Sequence, residues 1–205
     1  MSSMKSTRIN INTGGIMSIK VMAMYTNEEI EVLLEQLKKY LLKYPLEVEM
    51  VRTLESFIIG DLNLSEEHLR GHMTGSSWIV NKDRNKGLFT LHSKLNKWLQ
   101  LGGHVDIGES VIEGATREAF EESGLKSVKL LSLDIYDIDI HLIPENHKGK
   151  AHYHFDIRYL YEADDREELG ISLESKDLKW IPLEELEEYN NEESILRMKR
   201  KLEVI

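Results

Sequence analysis

The run from Gly103 to Leu125 constrains this chain more tightly than any other part of it. Ser110-Val111-Ile112-Glu113 is a capping box, in which the Ser and the Glu three residues on satisfy each other's backbone donors, so a helix is expected just after Ser110. Gly124 stands where such a helix would end in a left-handed turn. Within that helix Glu118, Glu121 and Glu122 are spaced i, i+3, i+4 and share a face. Three carboxylates so close repel one another, and an isolated helix gains nothing from the cluster. A hard divalent cation relieves the repulsion, because Mg²⁺ and Mn²⁺ prefer oxygen ligands. Ile112, Ala115 and Ala119 form the opposite stripe, small enough to press the helix closely onto a sheet. Gly102-Gly103 lets the preceding loop approach a metal with bare backbone.

The same run fits the pattern G-x5-E-x7-R-E-U-x-E-E-x-G-U (U apolar), with Gly103, Glu109, Arg117, Glu118, Ala119, Glu121, Glu122, Gly124 and Leu125 at the fixed positions. At average residue frequencies a chance match is on the order of one in a million. The run resembles the Nudix box, the signature of hydrolases that cut diphosphate bonds in nucleoside diphosphates linked to another group. The resemblance covers roughly Gly75 to Leu186. It implies an α/β fold, the Nudix-type α/β/α sandwich around a mixed sheet, and a small-molecule diphosphate substrate. It also implies a Mg²⁺ or Mn²⁺ cofactor held by Glu118, Glu121, Glu122 and the backbone at Gly102. Glu109, Arg117, Glu121 and Glu174 are the catalytic candidates it carries over. In the family the Arg pairs with the first Glu of the box, here Arg117 with Glu109, and orients the ligand helix. The family usually has Pro before the paired glycines, and Leu101 stands there in this chain, which leaves the loop less rigid without removing a ligand. The stretch Lys94-Leu95, Lys97-Trp98 and Leu99-Gln100 leading into Gly102-Gly103-His104 is similar to a bacterial Nudix subgroup of unassigned substrate.

Composition removes several other classes. A chain of 205 residues suits one medium domain with an elaboration, and its apolar and charged fractions, 41% and 30%, are ordinary for a globular protein. A net charge of -10 argues against a nucleic-acid partner, which would need a basic stripe. It does not argue against a phosphate-bearing small molecule, since bound metal supplies local positive charge. There are no cysteines, which excludes disulfides, Cys-ligated zinc and a thiol nucleophile. The isomerase of isopentenyl diphosphate built on the same fold typically uses a catalytic Cys, so that activity is set aside. No stretch approaches a membrane span and the N-terminus lacks a signal-peptide core, so the expected location is cytoplasmic. A homodimer is compatible with all of this.

Residues 1–24 read as a tail or a short strand, with Met17 and Met24 as alternative starts. Residues 25–62 read as an N-terminal helical extension. Thr26-Asn27-Glu28-Glu29 is another capping box, followed by Ile30, Leu33, Leu34, Leu37 and Leu41 at helical spacing. A second helix with Val51, Leu54, Phe57 and Ile58 on its apolar side ends near Gly60. The pair is expected to form a hairpin packed on the catalytic domain, with a substrate lid as the alternative role. Residues 63–205 read as the hydrolase domain. Trp78-Ile79-Val80 and Leu88-Phe89-Thr90-Leu91 flank a loop with hairpin chemistry, and Val128 to Ile143 is strand-like. In that last stretch Ile138, Ile140 and Leu142 alternate with Asp137, Asp139 and His141. Residues 151–161 alternate too, with Tyr153, Phe155, Ile157 and Tyr159 on one face and His152, His154, Asp156 and Arg158 on the other. Trp180-Ile181-Pro182 closes a further strand, and a helical C-terminus runs from Leu183 through Ile195, Leu196 and Met198.

Beyond the box, hydrolysis needs a group that positions or activates water. The resemblance places a Glu a few residues before the Trp of the last strand. Glu174, in Glu174-Ser175-Lys176-Asp177-Leu178-Lys179-Trp180, has the matching spacing as fourth ligand or base, against the alternative of an exposed loop carboxylate. Lys94 is a candidate for substrate phosphate, or else a solvated lysine. His104, His152 and His154 are candidate substrate-binding residues. With Asp156 on the same strand face, and Asp139 and His141 across a hairpin, the histidines can bind a second metal or the leaving group. The competing reading is a polar, outward sheet face. Trp78, Trp98 and Trp180 are read as core or sheet residues. The alternative to a hydrolase is a non-catalytic nucleotide or sugar-phosphate sensing module on the same fold, for which loss of box carboxylates would be tolerated.

Overall fold

The computed structural model describes residues 25–60, 71–145, 149–170 and 175–204. Helix α1 (Asn27–Lys43) starts on the Thr26 capping box, and a short 3-10 turn (Pro45–Glu47) leads into α2 (Val48–Ile59), which ends on left-handed Gly60. Pro45 explains the break, because its ring cannot continue a preceding helix. Strands β1 (Gly71–Asn81), β2 (Lys86–His92), β3 (Trp98–Leu99) and β4 (Leu101–His104) precede the box helix α3 (Val111–Ser123). After it come β5 (Lys129–Leu130), β6 (Asp137–Ile143), β7 (His152–Ala163), β8 (Ser175–Pro182), α4 (Leu186–Tyr189) and α5 (Glu193–Leu202).

The strands form one mixed sheet. β1 and β7 lie side by side in parallel from Gly71 opposite Tyr153 to Asn81 opposite Ala163. The remaining pairings are antiparallel: β1 with β2 and β4, β2 with β3 and β8, and β7 with β5 and β6. Side chains alternate along each strand, so the sheet has two distinct faces. One face carries Met73, Ile79, Phe155, Ile157 and Tyr159 into a core shared with Ala115 and Ala119 of α3 and with Leu37, Leu54 and Ile58 of the N-terminal helices. Phe57 of α2 stacks on Phe155 with ring centroids 3.8 Å apart, so the helical pair is packed directly on the sheet. The other face carries Trp78, Val80, Phe89 and Leu160 against Ile195 and Met198 of α5. Helices on both sides of a mixed sheet make an α/β/α sandwich.

Two elements differ from the sequence reading. The segment expected as one strand from Val128 to Ile143 is two, β5 and β6, because residues 132–135 loop out between Leu131 and Tyr136, whose amides still donate to the Leu160 and Arg158 carbonyls of β7. Leu142, on the apolar stripe of that segment, is exposed, while Asp137, on its polar stripe, is fully buried. The expected continuous C-terminal helix is broken between Tyr189 and Glu193, where the Asn190 side chain donates to the carbonyl of Trp98 and accepts from the amide of Glu192. The tryptophans lie as read, Trp78 in the core and Trp98 on β3 and Trp180 on β8, the last two partly buried at the margin of the core.

The polar face of β7 is not an outward face. Asp156 and Arg158 are buried beneath α5, and Arg158 donates to Asp156, Asp137 and the carbonyl of Ser194 at 2.7, 3.0 and 3.0 Å. Asp137 also receives Arg197 at 2.8 Å and Lys201 at 2.6 Å. Burial opposes ionisation of Asp137, yet the hydrogen bond from Arg197 and the charges of Arg158 and Lys201 hold its pKa below the usual range. The network continues through Lys201 to Glu47 at 2.8 Å and to the hydroxyl of Tyr40, tying the N-terminal helices to the C-terminal one. Alternation alone shows that a face is polar. It does not show that complementary charges from distant helices cover it.

Candidate active site

Helix α3 is placed by its own caps. Ser110 Oγ accepts from the Glu113 amide, Glu113 Oε2 accepts from the Ser110 amide at 2.8 Å, and Gly124 closes the helix at φ 67°. Its small stripe lies flush on β1. A Cβ at Gly75 would fall 2.6 Å from the Val111 carbonyl and 2.9 Å from the Ala115 nitrogen. Gly75 in turn pairs with Gly103 on β4, so the expected paired-glycine loop is a strand, and helix, β1 and β4 are brought together by three residues with little or no side chain.

Glu118, Glu121 and Glu122 project together into a cleft of about 310 Å³, lined also by Gly103, His104, Asp106 and Arg117. A Cβ on Gly103 would lie 2.5 Å from Glu118 Oε1, so the space the carboxylate occupies exists only because residue 103 has no side chain. Gly102, at φ 155°, donates its amide to Glu122 Oε2 at 2.8 Å, and a Cβ there would lie 2.4 Å from Ser76 Oγ.

Arg117 ties the site together. Its Nε and Nη2 donate to Glu109 at 2.9 and 3.1 Å, Nη1 donates to Glu118 at 2.8 Å and Glu121 at 3.2 Å, and Nη2 also reaches the His104 carbonyl at 2.9 Å. The hydrogen bond from Arg117, with help from the Asp106 amide, lowers the Glu109 pKa below the usual carboxylate range, so Glu109 is ionised at neutral pH. Glu109 itself is not among the residues lining the cleft.

The other sequence candidates fall in different places. His104 lines the cleft. Lys94 is exposed in the turn between β2 and β3, its amide held by His92 Nδ1, and it does not line the cleft. Glu174 lies outside the described residues. His152 and His154 sit at the start of β7 with half-buried rings 5.3 Å apart. Asp156 does not orient either ring: it accepts from Thr74, Ser76 and Arg158. The ring held by a carboxylate is His141, whose Nδ1 lies 2.9 Å from Asp139 Oδ2. Sequence reasoning missed His72. Strand register sets it opposite His154, and its ring lies 4.6 Å from that of His154 and 4.5 Å from that of His104. Burial, with the neighbouring histidines adding to it, pulls His72 down to about 4 and His154 to about 3, so both are neutral at pH 7.

Residues 73–202 match the sequence profile of the NUDIX domain, and the chain belongs to the Nudix family. A probable DHNTP pyrophosphohydrolase of Lactococcus lactis subsp. cremoris (strain MG1363) is 33% identical over 120 residues, 54% of this chain and 69% of that one. The asymmetrical bis(5'-nucleosyl)-tetraphosphatase of Rattus norvegicus is 28% identical over 92 residues, 44% of this chain and 59% of that one. Among solved structures, a NUDIX-family hydrolase from Clostridium perfringens aligns with a TM-score of 0.52 at 32% identity, over 65% of this chain and 97% of that one. An Ap4A hydrolase of C. elegans shares the fold with a TM-score of 0.52 at 21% identity, over 65% of this chain and 96% of that one. Within the family this chain is a pyrophosphohydrolase, an enzyme that cleaves diphosphate bonds of small molecules. Among the described residues no helix is long and apolar enough to cross a membrane.

Proposed function

We propose that this enzyme is metal-dependent and cleaves a diphosphate bond in a nucleoside diphosphate linked to another group, or in a related organic pyrophosphate. The observation that carries the reading is the convergence of Glu118, Glu121 and Glu122 on one cleft beside the bare backbone of Gly103. The donor set is all oxygen, which suits Mg²⁺ or Mn²⁺ and disfavours softer ions. Glu118, Glu121 and Glu122 would hold the ion, with the backbone carbonyl of Gly102 on β4 as a further oxygen donor. Bound there, such an ion supplies Lewis-acid polarisation of a phosphoryl oxygen and a lowered water pKa.

The chain's own groups do the positioning. Arg117 holds Glu118 and Glu121 from one side while Glu109 holds Arg117 from the other, so the acidic side chains keep one geometry. Such pre-organisation matters because phosphoryl transfer depends on placement and charge more than on covalent chemistry. Glu109 and Arg117 are therefore positioning residues in this reading, and Glu121 is a ligand. Glu174 is proposed as fourth ligand or water-orienting base on its spacing from Trp180. His104 is proposed to meet substrate from the cleft wall.

The names of the relatives suggest where to look for substrate. A phosphate-release screen with Mg²⁺ and with Mn²⁺ would cover dihydroneopterin triphosphate, dinucleoside polyphosphates, nucleoside triphosphates, ADP-ribose and nucleotide sugars. Turnover of at least one compound that stops on chelation and returns with either ion is the expected result. Turnover that persists after exhaustive chelation would overturn the metal dependence.

A further inference from the structure

On the sheet face away from the box helix, the strand register gathers histidines that are scattered in the sequence. His72 on β1 pairs with His154 on β7, and His141 on β6 pairs with His154 from the other side. His104 on β4 pairs with Thr74, two residues from His72 on β1. Paired residues in a ladder share a face, and so do residues two apart, so all of these rings and that of His152 point the same way.

We propose that His72, His152 and His154 form a binding site for one borderline divalent transition ion of the Zn²⁺ type, separate from the carboxylate cleft. One ring nitrogen from each of the three lies within 4.8 Å of the others. Ligands sharing a single ion at ~2.0–2.1 Å in a tetrahedral set lie about 3.3–3.4 Å apart, so small rotations of the rings close the three nitrogens onto one ion. His152 Nδ1 lies 2.9 Å from the Lys150 carbonyl, which can only accept, so Nδ1 carries the proton and Nε2 presents its lone pair. A backbone carbonyl fixing the tautomer of a ligating His is the usual outer-shell arrangement. His72 Nε2 is buried without a hydrogen-bond partner, a costly state for a polar atom that a bound ion would relieve. The set is all imidazole, which suits Zn²⁺, Co²⁺ or Ni²⁺ and not the hard ions expected at the glutamates. Three protein ligands leave one position open for water or a ligand oxygen. His104 links the two places: its ring lies 4.5 Å from that of His72, and the residue also lines the carboxylate cleft.

The test is Co²⁺ titration of the full-length chain after removal of metal, read by the visible d–d bands of low-coordinate Co²⁺, with Zn²⁺ as competitor. One equivalent should bind with strong bands that Zn²⁺ displaces. H154A should weaken binding by about 100-fold or more, beyond what loss of an outer-shell partner costs. H152A, at the more exposed ring, should do the same and serves if H154A does not fold. An E118Q/E122Q double variant should keep both bands and affinity. No bands in the parent protein, bands unchanged in H152A, or bands lost only in the glutamate variant would each overturn the proposal. Because the readout is spectroscopic, its failure is distinct from a failure of the proposed hydrolytic reading, and either can stand without the other.

Discussion

The backbone amide of Gly102 donates to Glu122 Oε2 at 2.8 Å, joining strand β4 to the last turn of the box helix. One carboxylate oxygen of a largely buried Glu is thus held by the main chain, while the residue still lines the acidic cleft. Strand β4 and the helix are separated by the turn that leads to the Ser110 cap, so this contact sets the spacing between the acidic face and the bare backbone that approaches it.

Replacing Glu122 by Gln keeps an oxygen that can accept from Gly102 and removes a charge. E122Q should therefore melt close to the parent protein while losing about 100-fold or more of kcat, the scale of removing one strong electrostatic contributor to a transition state. Thermal denaturation together with steady-state kinetics on an established substrate checks this. Parent-like turnover would mean that Glu122 is not a ligand.

Gly103→Ala probes the same geometry from the backbone. The new Cβ would meet the far end of the Glu118 side chain, which can swing aside, so folding should survive. The displaced carboxylate should not. Misplacement by about 1 Å costs on the order of 100-fold in rate, and the loss should appear with weaker metal binding, a higher Mg²⁺ requirement, rather than a lower Tm. An activity titration with Mg²⁺ distinguishes the two.

Asp137 belongs to stability. D137N leaves Arg158, Arg197 and Lys201 without their shared anion, and breaking a buried pair in this way costs about 3–5 kcal/mol. The folded pKa of Asp137 is depressed, so its contribution is present above the unfolded value of about 3.9 and lost as pH falls through the folded value. The stability gap between parent and variant in chemical denaturation should be constant near neutrality and close below about pH 4.

Glu174→Gln should lower kcat by about 100-fold or more if that residue orients or deprotonates water, with Tm unchanged. Unchanged kcat would move the search for a base to other carboxylates.

Much of this molecule is decided by local chemistry. The capping boxes at Thr26 and Ser110, the left-handed end at Gly124 and the i, i+3, i+4 spacing of Glu118, Glu121 and Glu122 depend on residues within a few positions of one another. Those features determine helices, a sheet-facing stripe and an acidic face, and with the box pattern they identify the family. What only the tertiary structure decides is pairing at long range. The break between β5 and β6, the burial of Asp156 and Arg158 under α5, and the meeting of His72 with His104 and His154 rest on residues tens of positions apart. Period-two alternation assigns a side chain to one face of a strand, but which strand lies beside it, and which helix covers that face, is settled by burial and charge pairing summed over the whole chain.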